Sequence, residues 1–154
     1  MKFAVDCMLG KLAKWLKILG FDVAYFPAIE DGALLDLTRT EGRTLLTRDT
    51  SLSRKARFLG HLFILSENWE EQVDQVLEHF GLRSQVRPHS RCIECNVPLK
   101  ILPRCKARNL VTPFIFERTE SFALCPACGR VYWKGTHFGE MELKIARLLK
   151  KTPP

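Results

Sequence analysis

The chain has 154 residues, enough for one full domain or a medium domain with a small appendage. Its 46% hydrophobic and 27% charged content excludes collagen-like, low-complexity and largely disordered classes. The net charge of +7 is uneven, since residues 1–80 hold 10 Lys and Arg against 12 Asp and Glu, whereas residues 81–154 hold 14 against 5. That split predicts two modules, with nucleic acid as partner of the basic one; a solvated basic face is the plain alternative. No apolar run reaches about 18 residues, so no membrane-spanning helix and no membrane partner are expected. The opening MKFAVDCMLGKLAKWL sets its lysines inside the apolar pattern, which is not a signal-peptide layout, and a cytoplasmic protein is expected.

The first eighty residues alternate strand-like and helix-like segments. Residues 2–6 read as a short buried strand ending in Asp6. Residues 8–19 read as a helix with Leu9, Leu12, Ala13, Leu16 and Leu19 on one face, Lys11, Lys14 and Lys17 opposite, and Gly20 as its stop. Lys14 and Lys17 are expected on a solvated face. Residues 22–26 form a second strand, 31–41 a helix with Glu30 or Asp31 near its N-cap, and 44–47 a third strand running into Arg48 and Asp49. A helix over 50–59, a strand over 62–65 and a helix over 70–80 complete the unit. Continuously apolar strands separated by helices predict a parallel sheet covered on both faces.

The domain boundaries follow: residues 1–81 form the α/β unit, 82–90 a polar linker, 91–138 a cysteine-bearing ribbon, and 139–154 a C-terminal helix and tail. Within the ribbon, Phe114-Ile115-Phe116 and Val131-Tyr132-Trp133 read as β-like. Residues 140–151 read as an amphipathic helix with Leu143, Ala146 and Leu148 or Leu149 inward, and 152–154 as frayed.

Four of the six cysteines form two pairs, Cys92-x2-Cys95 and Cys125-x2-Cys128, with 29 residues between them. Two residues between thiolates let both reach one ion at about 2.3 Å, and two such knuckles close a tetrahedron. A structural zinc held by Cys92, Cys95, Cys125 and Cys128 is therefore expected, in preference to a redox dithiol or a disulfide scaffold. Cys7 reads as a small buried hydrophobe, and Cys105 as an inert surface thiol. His137 is either a packed residue, a spare ligand or an RNA contact. Arg104, Lys106 and Arg108 are expected to contact RNA without supporting the fold.

Three aspartates share a position type. Asp6 ends the first strand, Asp31 opens the helix after the second, and Asp49 follows the third. In an open parallel sheet all strand carboxyl ends lie on one edge, where ligands sit, so these acids can converge on magnesium or manganese. Such an ion activates water and stabilises the leaving oxygen of a phosphodiester. The competing reading makes each aspartate a helix cap. Arg48 and Lys11, adjacent in sequence, are placed to offset phosphate charge. Glu30 and Asp36 are alternatives for the third acid.

Phe3-Ala4-Val5-Asp6, Met8-Leu9-Gly10-Lys11-Leu12-Ala13-Lys14-Trp15-Leu16 and Leu19-Gly20-Phe21-Asp22 together resemble the opening of the Mut-7 C-terminal ribonuclease domain family. So do residues 41–49 (EGRTLLTRD) and the ending Cys125-Pro126-x-Cys128-Gly129-Arg130-Val131-Tyr132-Trp133-Lys134-Gly135-x-His137. The resemblance spans about residues 2–140. It implies a PIN-like nuclease domain on a Rossmann-like sheet, fused to a zinc ribbon. It further implies a metal-dependent RNase site at Asp6, Asp31 and Asp49, with Glu67 as a candidate fourth acid. The competing expectations are a non-catalytic RNA-binding adaptor and a protein-interaction module on the ribosome or an RNA-processing complex.

Overall fold

A computed structural model describes residues 1–135 and 138–150. Strands β1 (Lys2–Val5), β2 (Asp22–Tyr25), β3 (Thr44–Thr47) and β4 (His61–Phe63) form one sheet in the order β2-β1-β3-β4, parallel throughout. Helices α1 (Gly10–Ile18), α2 (Asp31–Thr40), α3 (Thr50–Lys55) and α4 (Trp69–His79) connect or follow them. A 3-10 turn over Cys7–Leu9 separates β1 from α1, so the expected first helix begins two residues late.

Alternation along the strands sorts the core into two layers. Phe3, Val5, Val23 and Leu46 face α1 and α4 in one cluster with Leu12, Leu16, Leu19, Val73, Val76 and Leu77. Ala4 and Leu45 point the other way, onto Leu34 of α2 and Leu52 of α3. The helix side changes when the chain reverses its direction across the sheet, as a constant crossover hand requires.

The second sheet is antiparallel, order β5-β6-β7, built from β5 (Lys100–Leu102), β6 (Phe122–Leu124) and β7 (Val131–Trp133). Between β5 and β6 lie two short helices, α5 (Arg104–Ala107) and α6 (Pro113–Arg118). Phe114-Ile115-Phe116 is thus helical rather than β-like: Pro113 at the first helical position starts a turn that lays Phe116 parallel to Phe122, with ring centroids 6.3 Å apart. Arg104 supports this small core, donating to Thr119 O and Phe116 O at 2.9 Å each, so it is a structural residue. Lys106 and Arg108 are exposed.

The last helix, α7 (Phe138–Lys150), turns Leu148 inward, one of the two alternatives its pattern offers, but pairs it with Ile145 instead of Leu143. Ile145 and Leu148 are buried in the first unit's core, with Met141 packed against it, while Leu143 is 62% exposed. The reason is tertiary: Arg83 binds both Leu148 O and Asp74 and so fixes the rotation of α7 against α4. Among the described residues, no helix is long and apolar enough to cross a membrane. Residues 152–154 and His137 lie outside the described residues.

Residues 82–90 run over the end of α1 rather than hanging free. Leu82 and Val86 are buried, and the Arg87 and His89 N–H groups donate to Leu19 O and Ile18 O at 2.9 Å each. These carbonyls are ones a helix end leaves without partners. Lys17, expected in solvent, is buried for the same reason: the ribbon covers it, and its ammonium donates to Ile93 O and Glu94 O at 3.2 and 3.3 Å. Burial lowers its pKa, while Glu94 and the cysteines Cys92 and Cys95 act in the opposite sense. Arg91 donates to Gly20 O at 3.2 Å, and Asn96 Nδ2 to Asp22 Oδ1 at 3.0 Å. Arg43 holds the same Asp22 oxygen at 2.7 Å. Burial pushes the Asp22 carboxyl upward, but Arg43, Arg91 and Asn96 outweigh it and hold it below the usual range.

Gly20 is where this seam is tightest. Its φ of +94° is left-handed, and a Cβ there would overlap the Arg87 carbonyl oxygen. Gly20→Ala is therefore expected to cost about 2 kcal/mol or more, from the left-handed backbone and the overlap together, and to lower the thermal midpoint measured by calorimetry.

Candidate active site and metal centre

The strand order reverses at β1, and the carboxyl ends of β1 and β3 face the crevice this creates. Asp6, one residue past β1, is 7% exposed and makes no side-chain cap for the turn that follows. Its Oδ2 accepts from Thr47 Oγ1 at 2.6 Å. Thr47, fully buried at the end of β3, accepts in turn from the Asp49 N–H at 2.9 Å. One hydroxyl thus ties the first acid to the backbone of the third. Sequence reasoning placed Thr47 on the strand but missed this role; its only sign was a hydroxyl residue two positions before an acid at a strand end.

The capping reading holds for one aspartate of the three. Asp49 Oδ1 accepts from the Ser51 and Leu52 N–H groups at 2.6 and 2.9 Å, an N-cap of α3. Asp31 is the first residue of α2, not its cap, and pairs with Lys55 at 2.8 Å. Glu30 holds the N-cap position without a side-chain bond. Asp36 lies on the exposed face of α2 beside Arg39, at 3.5 Å. The carboxylates of Asp6, Asp31 and Asp49 do not form a group with all ligand oxygens within 4.8 Å of one another.

The two expected cations have partners of their own. Arg48 donates to Glu67 Oε1 at 3.1 Å, joining the ends of β3 and β4. Lys11, on α1, sits 5.2 Å from the centroid of the Trp69 ring, which stacks on Trp15 with centroids 4.4 Å apart. Cys7 is exposed rather than buried, because the 3-10 turn rotates it outward. A hydrogen bond to the Asp6 carboxylate, then burial, raises its pKa, so the thiol stays protonated at neutral pH.

At the ribbon, the Sγ atoms of Cys92, Cys95, Cys125 and Cys128 all lie within 4.8 Å of one another, and they are the one such group among the described residues. The Cys92–Cys128 separation is 3.8 Å. A tetrahedron with bonds of about 2.3 Å has edges of about 3.8 Å, so the donor set fits a zinc ion in size and in chemistry. Both knuckles have the same backbone form. Asn96 N donates to Cys92 O at 2.9 Å and Gly129 N to Cys125 O at 3.0 Å. Cys92 N and Cys125 N return to Val97 O and Arg130 O, at 2.9 Å each. Asn96 and Gly129 take the left-handed backbone that closes each turn, at φ +60° and +72°.

Tyr132, read from sequence only as a strand residue, is the outer support of this cluster. Its hydroxyl lies 3.0 Å from Cys92 Sγ and accepts from the Ile93 N–H at 3.2 Å. Burial pushes the Cys92 thiol up, but Tyr132 and the N–H groups of Cys95 and Glu94 outweigh it and bring it to about 6. Cys95 is pushed up to about 12 by its hydrogen bond to Cys128, by burial and by Cys92. One thiolate forms readily, and the next only against its charge; a cation at the centre removes that conflict.

The fold and site together define a Rossmann-like α/β unit with acids at its switch point, joined to a four-cysteine ribbon. The model of the Mut7-C RNAse domain matches residues 1–145, and the chain belongs to this family. No curated protein and no solved structure matched it.

Thr47→Val keeps the shape and removes the hydroxyl that Asp6 and Asp49 share. The expected outcome is a loss of about 1–3 kcal/mol in urea unfolding, for a carboxylate oxygen left buried without its donor. The conservative Thr47→Ser should restore most of it.

Proposed function

We propose that the chain is a metal-dependent ribonuclease. Asp6, Asp49 and Asp31 hold magnesium or manganese at the carboxyl edge, Arg48 and Lys11 meet the phosphate, and the ribbon carries a structural zinc and helps to bind RNA. The observation that carries this reading is Asp6: a buried carboxylate at the switch point, capping nothing and held in place by Thr47. Membership of an RNase-domain family supports it.

The all-oxygen donor set suits a hard divalent ion. When bound, such an ion supplies positive charge at the phosphate and a water acidic enough to act at neutral pH. The chain's own residues do the rest. Thr47 orients Asp6. Asp49 spends Oδ1 on α3, which leaves Oδ2 for an ion. Asp31 must leave Lys55 to join them. Arg48 exchanges Glu67, which is 88% exposed, for a phosphate oxygen.

The second reading, a non-catalytic RNA-binding adaptor serving the ribosome or an RNA-processing complex, is favoured by the cap at Asp49 and the Asp31–Lys55 pair. Asp6→Asn and Asp49→Asn separate the two. Asparagine caps about as well as aspartate, so neither change should unfold the chain. With manganese, RNA cleavage by each variant should fall about 100-fold or more against wild type, as expected for the loss of a metal ligand. Equal cleavage by all three proteins, or none by wild type on varied RNAs, favours the adaptor.

Zinc is tested separately. Elemental analysis should give one zinc per chain, and Cys92→Ser should lose it together with order in residues 91–135, while the far-ultraviolet signal of the first unit persists.

A further inference from the structure

A cleft of about 400 Å³ opens between the β6–β7 face of the ribbon, the turn at Pro88–His89 and the first turns of α7. It lies outside the acid edge, and the proposed catalysis makes no use of it. Two aromatic rings reach it, Trp133 and Phe138, with Lys134, His89 and Glu142 supplying polar groups, while the Phe122 ring turns away into the ribbon core. Trp15 and Trp69 stack on each other in the first unit, whereas Trp133 remains 38% exposed on the end strand of the ribbon sheet. Phe138 is flanked by His89, with ring centroids 4.6 Å apart, and by the Lys134 ammonium, 5.1 Å from its own centroid. Glu142 Oε1 lies 3.2 Å from His89 Nε2.

We infer that this cleft takes one unstacked base of a single-stranded RNA, with Lys134 toward the adjoining phosphate; the inference rests on the reading of the chain as an RNA-acting protein. Size argues for it, since about 400 Å³ accommodates one nucleotide and excludes the stacked interior of a duplex. Flat π-faces bind any base, and a neighbouring ammonium adds attraction for the backbone. The Glu142 carboxylate accepts from the N–H donors on a base edge. Charge also matches, because the half of the chain holding the cleft has 14 Lys and Arg against 5 Asp and Glu.

The test uses the zinc-loaded full chain without added magnesium or manganese, and eight-nucleotide 2′-O-methyl strands that resist cleavage. Anisotropy should show salt-dependent binding that falls roughly ten-fold or more with Trp133→Ala and recovers with Trp133→Phe, as expected for a lost stacking partner. Ultraviolet cross-linking of the unaltered chain to the same strand should map to Trp133 or Phe138, and this readout stands even if Trp133→Ala folds poorly. Salt-dependent binding with undiminished affinity in a folded Trp133→Ala, or cross-links confined outside the cleft, overturns the cleft while leaving the RNA reading intact. No binding to any strand overturns both.

Discussion

Parallel strands can be joined only by crossovers, and crossovers of one hand put their helices on opposite faces when the chain changes direction across the sheet. Here the change falls at β1, with β2 on one side of it and β3 on the other. α1 is sent to one face and α2 and α3 to the other, and the loops leaving β1 and β3 must part. The crevice between them is a product of chain topology before any side chain is considered. Asp6 and Asp49 occupy its two lips, and Thr47 bridges them from below. A fully buried hydroxyl with both a donor and an acceptor role filled is rigid, so the lips are held at a fixed separation.

The ribbon is anchored at the opposite edge. Gly20 and Asp22 lie at the amino ends of the strands, and the knuckle around Cys92–Asn96 seats on them through Lys17, Arg91 and Asn96. Lys17 and Arg91 bring positive charge to backbone carbonyls, and the Asn96 amide donates to the Asp22 carboxylate, so the seam depends in part on correct ionisation. Asp22, held below its ordinary pKa, stabilises the seam above the usual carboxylate range. That contribution is lost as the pH falls through its depressed value. The four-cysteine cluster and the acids that follow β1 and β3 thus lie toward opposite ends of the strands.

The parts of this architecture written in local patterns were legible in the sequence. Period-two and period-3.6 runs set the order of the first unit's strands and helices, and the paired cysteines announced their cluster. What failed depended on partners distant in the chain. Lys17 sits on what reads as the polar face of α1, and only the arrival of Ile93 and Glu94 buries it. Phe114–Phe116 has β-like composition, yet the need to cover Phe122 and the start at Pro113 make it helical. The face of α7 is chosen by Arg83, sixty-five residues upstream of Leu148. At the acid edge, spacing locates the acids but not what each one binds. Asp49 spends an oxygen on its own helix, whereas the Asp6 carboxylate takes the hydroxyl of Thr47, forty-one residues on, a partner that spacing does not announce.

The burial of Ile145 and Leu148 among Val73, Val76 and Leu77 bears on how the molecule comes into being. A ribosome makes the four-stranded unit first, but one side of its α1–α4 layer stays bare until the whole ribbon has been synthesised and α7 can fold back. The layer's last apolar contacts therefore form only once α7 has been made, after the first unit's strands and helices are already in place.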